Sequence, residues 1–215
     1  MRPALVYRWI VFLLAAFYSL RMILFGGYDG FGGPFRYLTI WALLIAFFSA
    51  SRMIALEQGR STKRWDGFVG MTSVITAMVV MLYWRLYLAD PGSVTDHGKQ
   101  GAWWLNGYLH GAGPALQWID AVFIHQSFTR LRASALWLLG VIVGYVVWIE
   151  LLVAPLNDSP AGSVTSGMPY PFLNNLTFAG RANFYITNLI VAGVMLAVFA
   201  TLAWAVRRLR RQAAR

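Results

Sequence analysis

The sequence predicts an all-α polytopic membrane protein with six transmembrane helices and both termini on the cytoplasmic side. Three observations carry that prediction. Of 215 residues, 59% are hydrophobic and only 12% charged, a balance that fits a membrane chain and not a soluble domain. Six stretches each hold about 20 mostly apolar residues, the length that crosses a hydrocarbon core. Lys and Arg are divided unevenly between the connecting segments, and that asymmetry sets orientation in a bilayer.

The first span, about 4–25, follows Arg2 and has the look of a secretory signal. Its apolar run is long, however, and no small-x-small cleavage site follows LAAFYSLRMILF, so it is expected to be retained. The glycine cluster GGYDGFGG at 26–33 reads as a flexible connection to the second span, about 34–56. The third span is about 66–88, the fourth about 103–125 and the fifth about 134–154, the last carrying GVIVG at 140–144 with small-xxx-small spacing for close helix packing. The sixth, about 181–206, follows the long loop 155–180, where PLNDSPAGSVTSGMPYPFLNN would fold over the helix ends as a cap. With no soluble domain, linker or repeat, residues 1–215 read as one six-helix domain.

With the N-terminus inside, Arg2, Arg8, Arg52, Arg60, Lys63, Arg64, Arg130, Arg132 and the run RRLRRQAAR collect on the cytoplasmic side. The opposite side receives only Arg21, Arg36, Arg85, Lys99 and Arg181. The net charge of +10 is thus topogenic and need not imply nucleic acid; the expected partners are membrane lipids and a lipid-like ester, with no nucleic acid. The absence of cysteine removes disulfides, thiolate nucleophiles and cysteine-based metal sites.

Polar residues inside the spans are costly unless they face a partner or a cavity. At 1.5 Å per residue, Thr39 lies roughly 8 Å, His110 roughly 10 Å and Glu150 roughly 7 Å from the non-cytoplasmic helix ends. Arg21, Arg85, Asn106, Asn183 and Asn188 fall in the same layer, whereas the cytoplasmic half is far more apolar apart from Asp120 and a few hydroxyls. This pattern implies one buried polar chamber in the non-cytoplasmic half of a cell membrane. Asn106, His110, Gly113, Gln117 and Asp120 recur in steps of four and three, which places them on one stripe of the fourth span.

Several chemistries are disfavoured. His110 and His125 are about 22 Å apart along one helix and cannot clamp one haem iron, and His97 falls in a loop. The only lysines, Lys63 and Lys99, are in loops, so no retinal Schiff base is expected. No G-x-S-x-G elbow, H-E-x-x-H helix or phosphate-cradling glycine loop occurs, and neither a metal nor another cofactor is called for. What remains is a hydroxyl and a base at matched depth, Thr39 and His110. A threonine attacks only when an adjacent base takes its proton, so the pairing gives the hydroxyl its meaning.

The strings GGPFRYLT (32–39), WWLNGYLH (103–110), VGYVVW (143–148) and PYPFLNN (169–175), in that order along six spans, resemble the androgen-induced and androgen-dependent integral membrane family. The resemblance implies a membrane-embedded threonine hydrolase of fatty acid esters of hydroxy fatty acids, with Thr39 and His110 as its catalytic pair. Animal relatives tend to carry N-H before the final x-x-H, whereas this chain has Asn106-Gly107. The expected chemistry is acyl transfer from a lipid ester that enters from the bilayer. Asn106, Asn188, Arg85 and Arg21 are candidate oxyanion donors, and Glu150 either orients His110 or pairs with Arg21 or Arg85. Gln117, Tyr170, Asn174 and Asn183 are candidate chamber residues. The rival reading is a non-enzymatic transporter or binder of an amphipathic ligand, which the same bundle and chamber would suit.

Overall fold

The computed structural model describes residues 3–94 and 101–213; Arg2, His97, Lys99 and Arg215 lie outside them. Regular structure is helical, with no strand among the described residues and a lone bridge between Ala161 and Ser166. The long helices are α1 (Pro3–Phe25), α2 (Leu38–Glu57), α3 (Asp66–Ala89), α4 (103–124), α5 (Leu131–Leu156) and α6 (Phe178–Ala213), with a single further turn at Pro171–Asn174 in the long loop. All but α4 are long and apolar enough to cross a membrane. Exposed Ile186, Ile190, Val194, Val198 and Leu202 recur every four residues along α6, an apolar stripe of the kind a membrane-crossing helix carries.

Local chemistry explains where the helices start and stop. α2 begins later than its apolar run because Gly33–Arg36 forms a 3-10 turn with Pro34 in its first positions, and extended Tyr37 then caps α2. Gly33 adopts a φ of 45°, and a Cβ there would strike the Tyr28 ring. Asp90, which precedes Pro91, is extended and ends α3, as steric conflict with the proline ring demands. The Thr177 hydroxyl accepts the Gly180 N–H at 3.2 Å and opens α6.

The segment predicted as a straight fourth span is helical but broken twice. α4 consists of Trp103–Gly107, a π-turn at Tyr108–Ala112, Gly113–Ile119 and a second π-turn at Asp120–Ile124. Pro114 is one cause: it has no N–H for the carbonyl four residues back, that of His110, and its ring crowds that carbonyl. α5 is α-helical to Trp148 and finishes in a π-turn at Ile149–Val153 and a 3-10 turn. The GVIVG stripe makes no close helix approach, since Gly140 faces open space and Gly144 meets only the edge of Trp41.

α3 is the most enclosed helix, and its buried Thr72, Ser73 and Thr76 hydroxyls donate back to carbonyls of α3 itself. One end of the bundle is fixed by ionic contacts. Arg8 of α1 reaches Glu57 of α2 at 2.7 Å and Asp120 of α4 at 3.0 Å, while Arg207 of α6 donates to the Ser127 carbonyl at 2.9 Å. At the other end the long loop packs down as the expected cap. Its Met168 and Leu173 are buried with Tyr145, Ile149 and Val153 of α5.

Candidate active site

The first turn of α2 and the kink of α4 meet. Thr39 Oγ1 lies 3.5 Å from His110 Nε2, at the long end of a hydrogen bond, a separation common in catalytic pairs before substrate tightens them. His110 departs from helical geometry, with φ −115° and ψ 20° inside its π-turn. The carbonyl that Pro114 leaves without a helical partner accepts the Trp84 indole N–H at 2.9 Å, and the imidazole stacks on Tyr83 with centroids 3.6 Å apart. The kink is therefore held from α3, and the ring has one orientation.

The other imidazole nitrogen sets the tautomer. His110 Nδ1 lies 2.6 Å from Asn106 Oδ1, one turn earlier on the same helix. An amide oxygen can only accept, so Nδ1 carries the proton and Nε2 keeps its lone pair toward Thr39. Asn106 thus holds the position on the imidazole that a carboxylate holds in a Ser-His-Asp triad.

Both residues border a cavity of about 300 Å³ whose wall is almost wholly apolar. Ile75, Met78 and Val79 of α3 form part of it, and Tyr170 and Leu173 descend from the loop. The Tyr170 oxygen accepts the Leu38 N–H at 3.1 Å, satisfying one of the unpaired donors at the start of α2. Burial pushes the Tyr170 phenol up to about 12, so it remains an O–H at neutral pH.

The remaining candidates from the sequence are placed elsewhere or differently. Glu150 does not approach His110: it binds Arg181 through two contacts of 2.8 and 3.1 Å and accepts the Tyr185 hydroxyl at 2.7 Å. Arg181, rather than Arg21 or Arg85, is thus its cation. Arg21 lies over the Phe25 ring at 4.8 Å, and Arg85 is exposed. Asn188 lines the cavity, but its Nδ2 donates to the Phe184 carbonyl at 2.8 Å, so that N–H is not aimed at an oxyanion. Gln117 donates to the Ala46 carbonyl at 3.3 Å and joins α4 to α2 outside the cavity wall. Asn174 is wholly buried inside the cap, where it donates to the Pro160 and Met168 carbonyls. Asn183 is exposed on α6, on the opposite side from the buried Arg181 and Asn188 face.

The sequence reading passed over Trp84, Tyr83 and Pro114. Pro114 sits four residues after His110, so the string HGAGP announces both the kink and the orphaned carbonyl. Nothing in the sequence links Trp84 to that carbonyl, because the link crosses from α3 to α4. No group of three or more His, Asp or Glu suited to a metal ion occurs among the described residues.

A helical membrane bundle with an apolar cavity and a hydroxyl–imidazole pair on its wall is the class of protein that fold and site define. The family model described as FAR-17a/AIG1-like protein matches residues 4–204, so the chain belongs to that family, the one its four sequence strings resemble. No curated protein and no solved structure matches it.

Proposed function

We propose that the protein is an intramembrane ester hydrolase in which Thr39 is the nucleophile and His110 the general base, acting on fatty acid esters of hydroxy fatty acids or similar acyl esters. The observation that supports this most directly is the 3.5 Å approach of Thr39 Oγ1 to the unprotonated nitrogen of His110 beside an apolar cavity. The His110 lone pair takes the Thr39 proton as Oγ1 attacks the ester carbonyl. The ester C–O bond breaks, the alcohol leaves with that proton, and an acyl-threonine remains. Water then attacks the acyl carbon with His110 again as base, releasing the acid and restoring the hydroxyl. Tyr170, which borders the cavity and accepts the Leu38 N–H beside Thr39, is the candidate oxyanion donor, since it keeps its own proton to offer. The unequal distribution of Lys and Arg supports a chamber in the non-cytoplasmic half.

The experiment is to quench purified protein with an activated acyl ester and map the acylated peptide by mass. Acyl mass on the peptide containing Thr39, with release on further incubation, is expected. Turnover with no acyl adduct, or an adduct on another residue, would remove Thr39 from its role. A protein that binds the ester with no turnover would be a binder or transporter.

A second expectation concerns the tautomer. Asn106→Ala is expected to lower kcat about 10- to 100-fold with little change in KM, because the imidazole loses the acceptor that fixes its proton on Nδ1. An equal loss spread over KM would instead indicate that Asn106 contacts substrate.

A further inference from the structure

The last turns of α6 carry a charged surface that the proposed chemistry does not use. α6 has no Asp or Glu from Phe178 to Ala213, yet Arg207, Arg208, Arg210 and Arg211 crowd its end. None of these four enters an ion pair among the described residues. Trp204, Arg207, Arg208, Arg211 and Gln212 recur in steps of three, one, three and one, so they share one face of the helix and line a groove of about 430 Å³. That volume falls within the range of small-molecule sites.

Two of the lining cations are positioned before anything binds. Arg208 and Trp204 are exposed, and the guanidinium carbon lies 5.4 Å from the indole centroid. A guanidinium held over an aromatic face still presents its N–H edge outward. Arg207 is tied down differently, since one terminal nitrogen donates to the Ser127 carbonyl at 2.9 Å and to the Gln126 carbonyl at 3.4 Å. Its Nε and second terminal nitrogen remain as donors.

Depth identifies the occupant. At 1.5 Å per residue, Phe178 to Leu202 covers roughly 36 Å, more than the roughly 30 Å of a hydrocarbon core. Trp204 and the arginines after it therefore stand at headgroup level, where indole rings settle. Phosphates are the anions of that layer, and a guanidinium binds two phosphate oxygens at once. The lipid must carry net negative charge, because an ammonium headgroup would be pressed against Arg210 and Arg211 with no carboxylate on α6 to receive it.

We infer that Trp204, Arg208 and Arg211 bind the phosphate of an anionic phospholipid, with the Trp204 ring against its glycerol and upper acyl chains. The site goes beyond the hydrolase reading and does not rest on it. Asn188, where α6 borders the Thr39 cavity, precedes Trp204 by roughly 24 Å along the helix axis.

The test is native mass spectrometry of the full chain in detergent, titrated with phosphatidylglycerol or with phosphatidylcholine of matched chains. Three proteins are compared: wild type, Arg208→Gln/Arg211→Gln, and Arg60→Gln/Lys63→Gln. The last pair is exposed on the loop joining α2 to α3 and loses the same charge away from the groove. Wild type is expected to bind phosphatidylglycerol at least about tenfold more tightly than phosphatidylcholine. The groove variant should lose that preference by about 10- to 30-fold, while the loop variant changes by less than about threefold. The groove arginines are exposed at a helix end and touch no buried group, so the variant keeps the fold. Equal binding of the two lipids, or an unchanged preference in the groove variant, would overturn the inference and leave the arginines as a topogenic flank. Equal losses in both variants would overturn it in favour of a general field of positive charge. Displacement of the lipid by an equal concentration of inorganic phosphate would overturn the assignment to a lipid and make the groove a site for free anions.

Discussion

Thr39→Ala is expected to lower ester turnover about a thousandfold while ligand affinity changes by less than about threefold. The asymmetry follows from where Thr39 sits. Its hydroxyl faces His110 Nε2 at the edge of a cavity whose area is nearly all apolar, so binding draws on the wall and chemistry on the one oxygen. Alanine also removes a methyl group, and Thr39→Val separates the two effects because it keeps the shape and loses only the hydroxyl. Valine should be as inert as alanine, whereas Thr39→Ser should recover a substantial part of the rate. The measurement is kcat and affinity for one chromogenic acyl ester across the three variants. A Thr39→Val protein that cleaves as fast as wild type would eliminate the nucleophile, and parallel losses in binding and turnover would make Thr39 a ligand contact, favouring transport.

The elements of the fold were legible because each apolar run is long and each break is marked by glycine, proline or a basic cluster. Thr39 and His110 were legible for a different reason, since depth along a helix can be measured on the sequence at 1.5 Å per residue. What depth cannot give is azimuth across helices. Glu150, Arg85, Asn183 and His110 share a layer, yet Glu150 turns to Arg181, Arg85 and Asn183 turn outward, and His110 is met by Asn106. The members of the polar stripe on α4 meet different partners: Asn106 bonds His110, which borders the cavity, Gln117 reaches the α2 backbone and Asp120 an arginine. Periodicity reports that a face is buried and is silent about what it meets. The π-turn around His110 was hidden for the same kind of reason, since a broken helix and a straight one have the same hydropathy.

Arg8 gives the largest expected effect on stability. It is 4% exposed, and its guanidinium bridges Asp120 on α4, Glu57 on α2 and the Met53 carbonyl. A buried ion pair adds little over an apolar replacement of both its members, but removing Arg8 leaves the buried Asp120 carboxylate without its cation. Arg8→Ala should therefore cost about 3–5 kcal/mol, seen as a lower unfolding temperature and loss of monodispersity in detergent. The triple change Arg8→Met/Glu57→Met/Asp120→Leu leaves no unpaired Asp120 and should recover most of that loss. Arg8→Lys should fall between, because an ammonium cannot reproduce the forked contacts to both Asp120 oxygens. The cluster also ties together the two helices that carry Thr39 and His110, at the end remote from the site. If it serves only to hold the bundle, the triple variant will regain activity along with stability. If it also sets the rotation of α4, stability will return while kcat stays low, because the apolar replacements pack without specifying the 3.5 Å approach of Thr39 to His110. Full retention of both in Arg8→Ala would show that the buried Asp120 tolerates the loss of its cation and that the latch is dispensable.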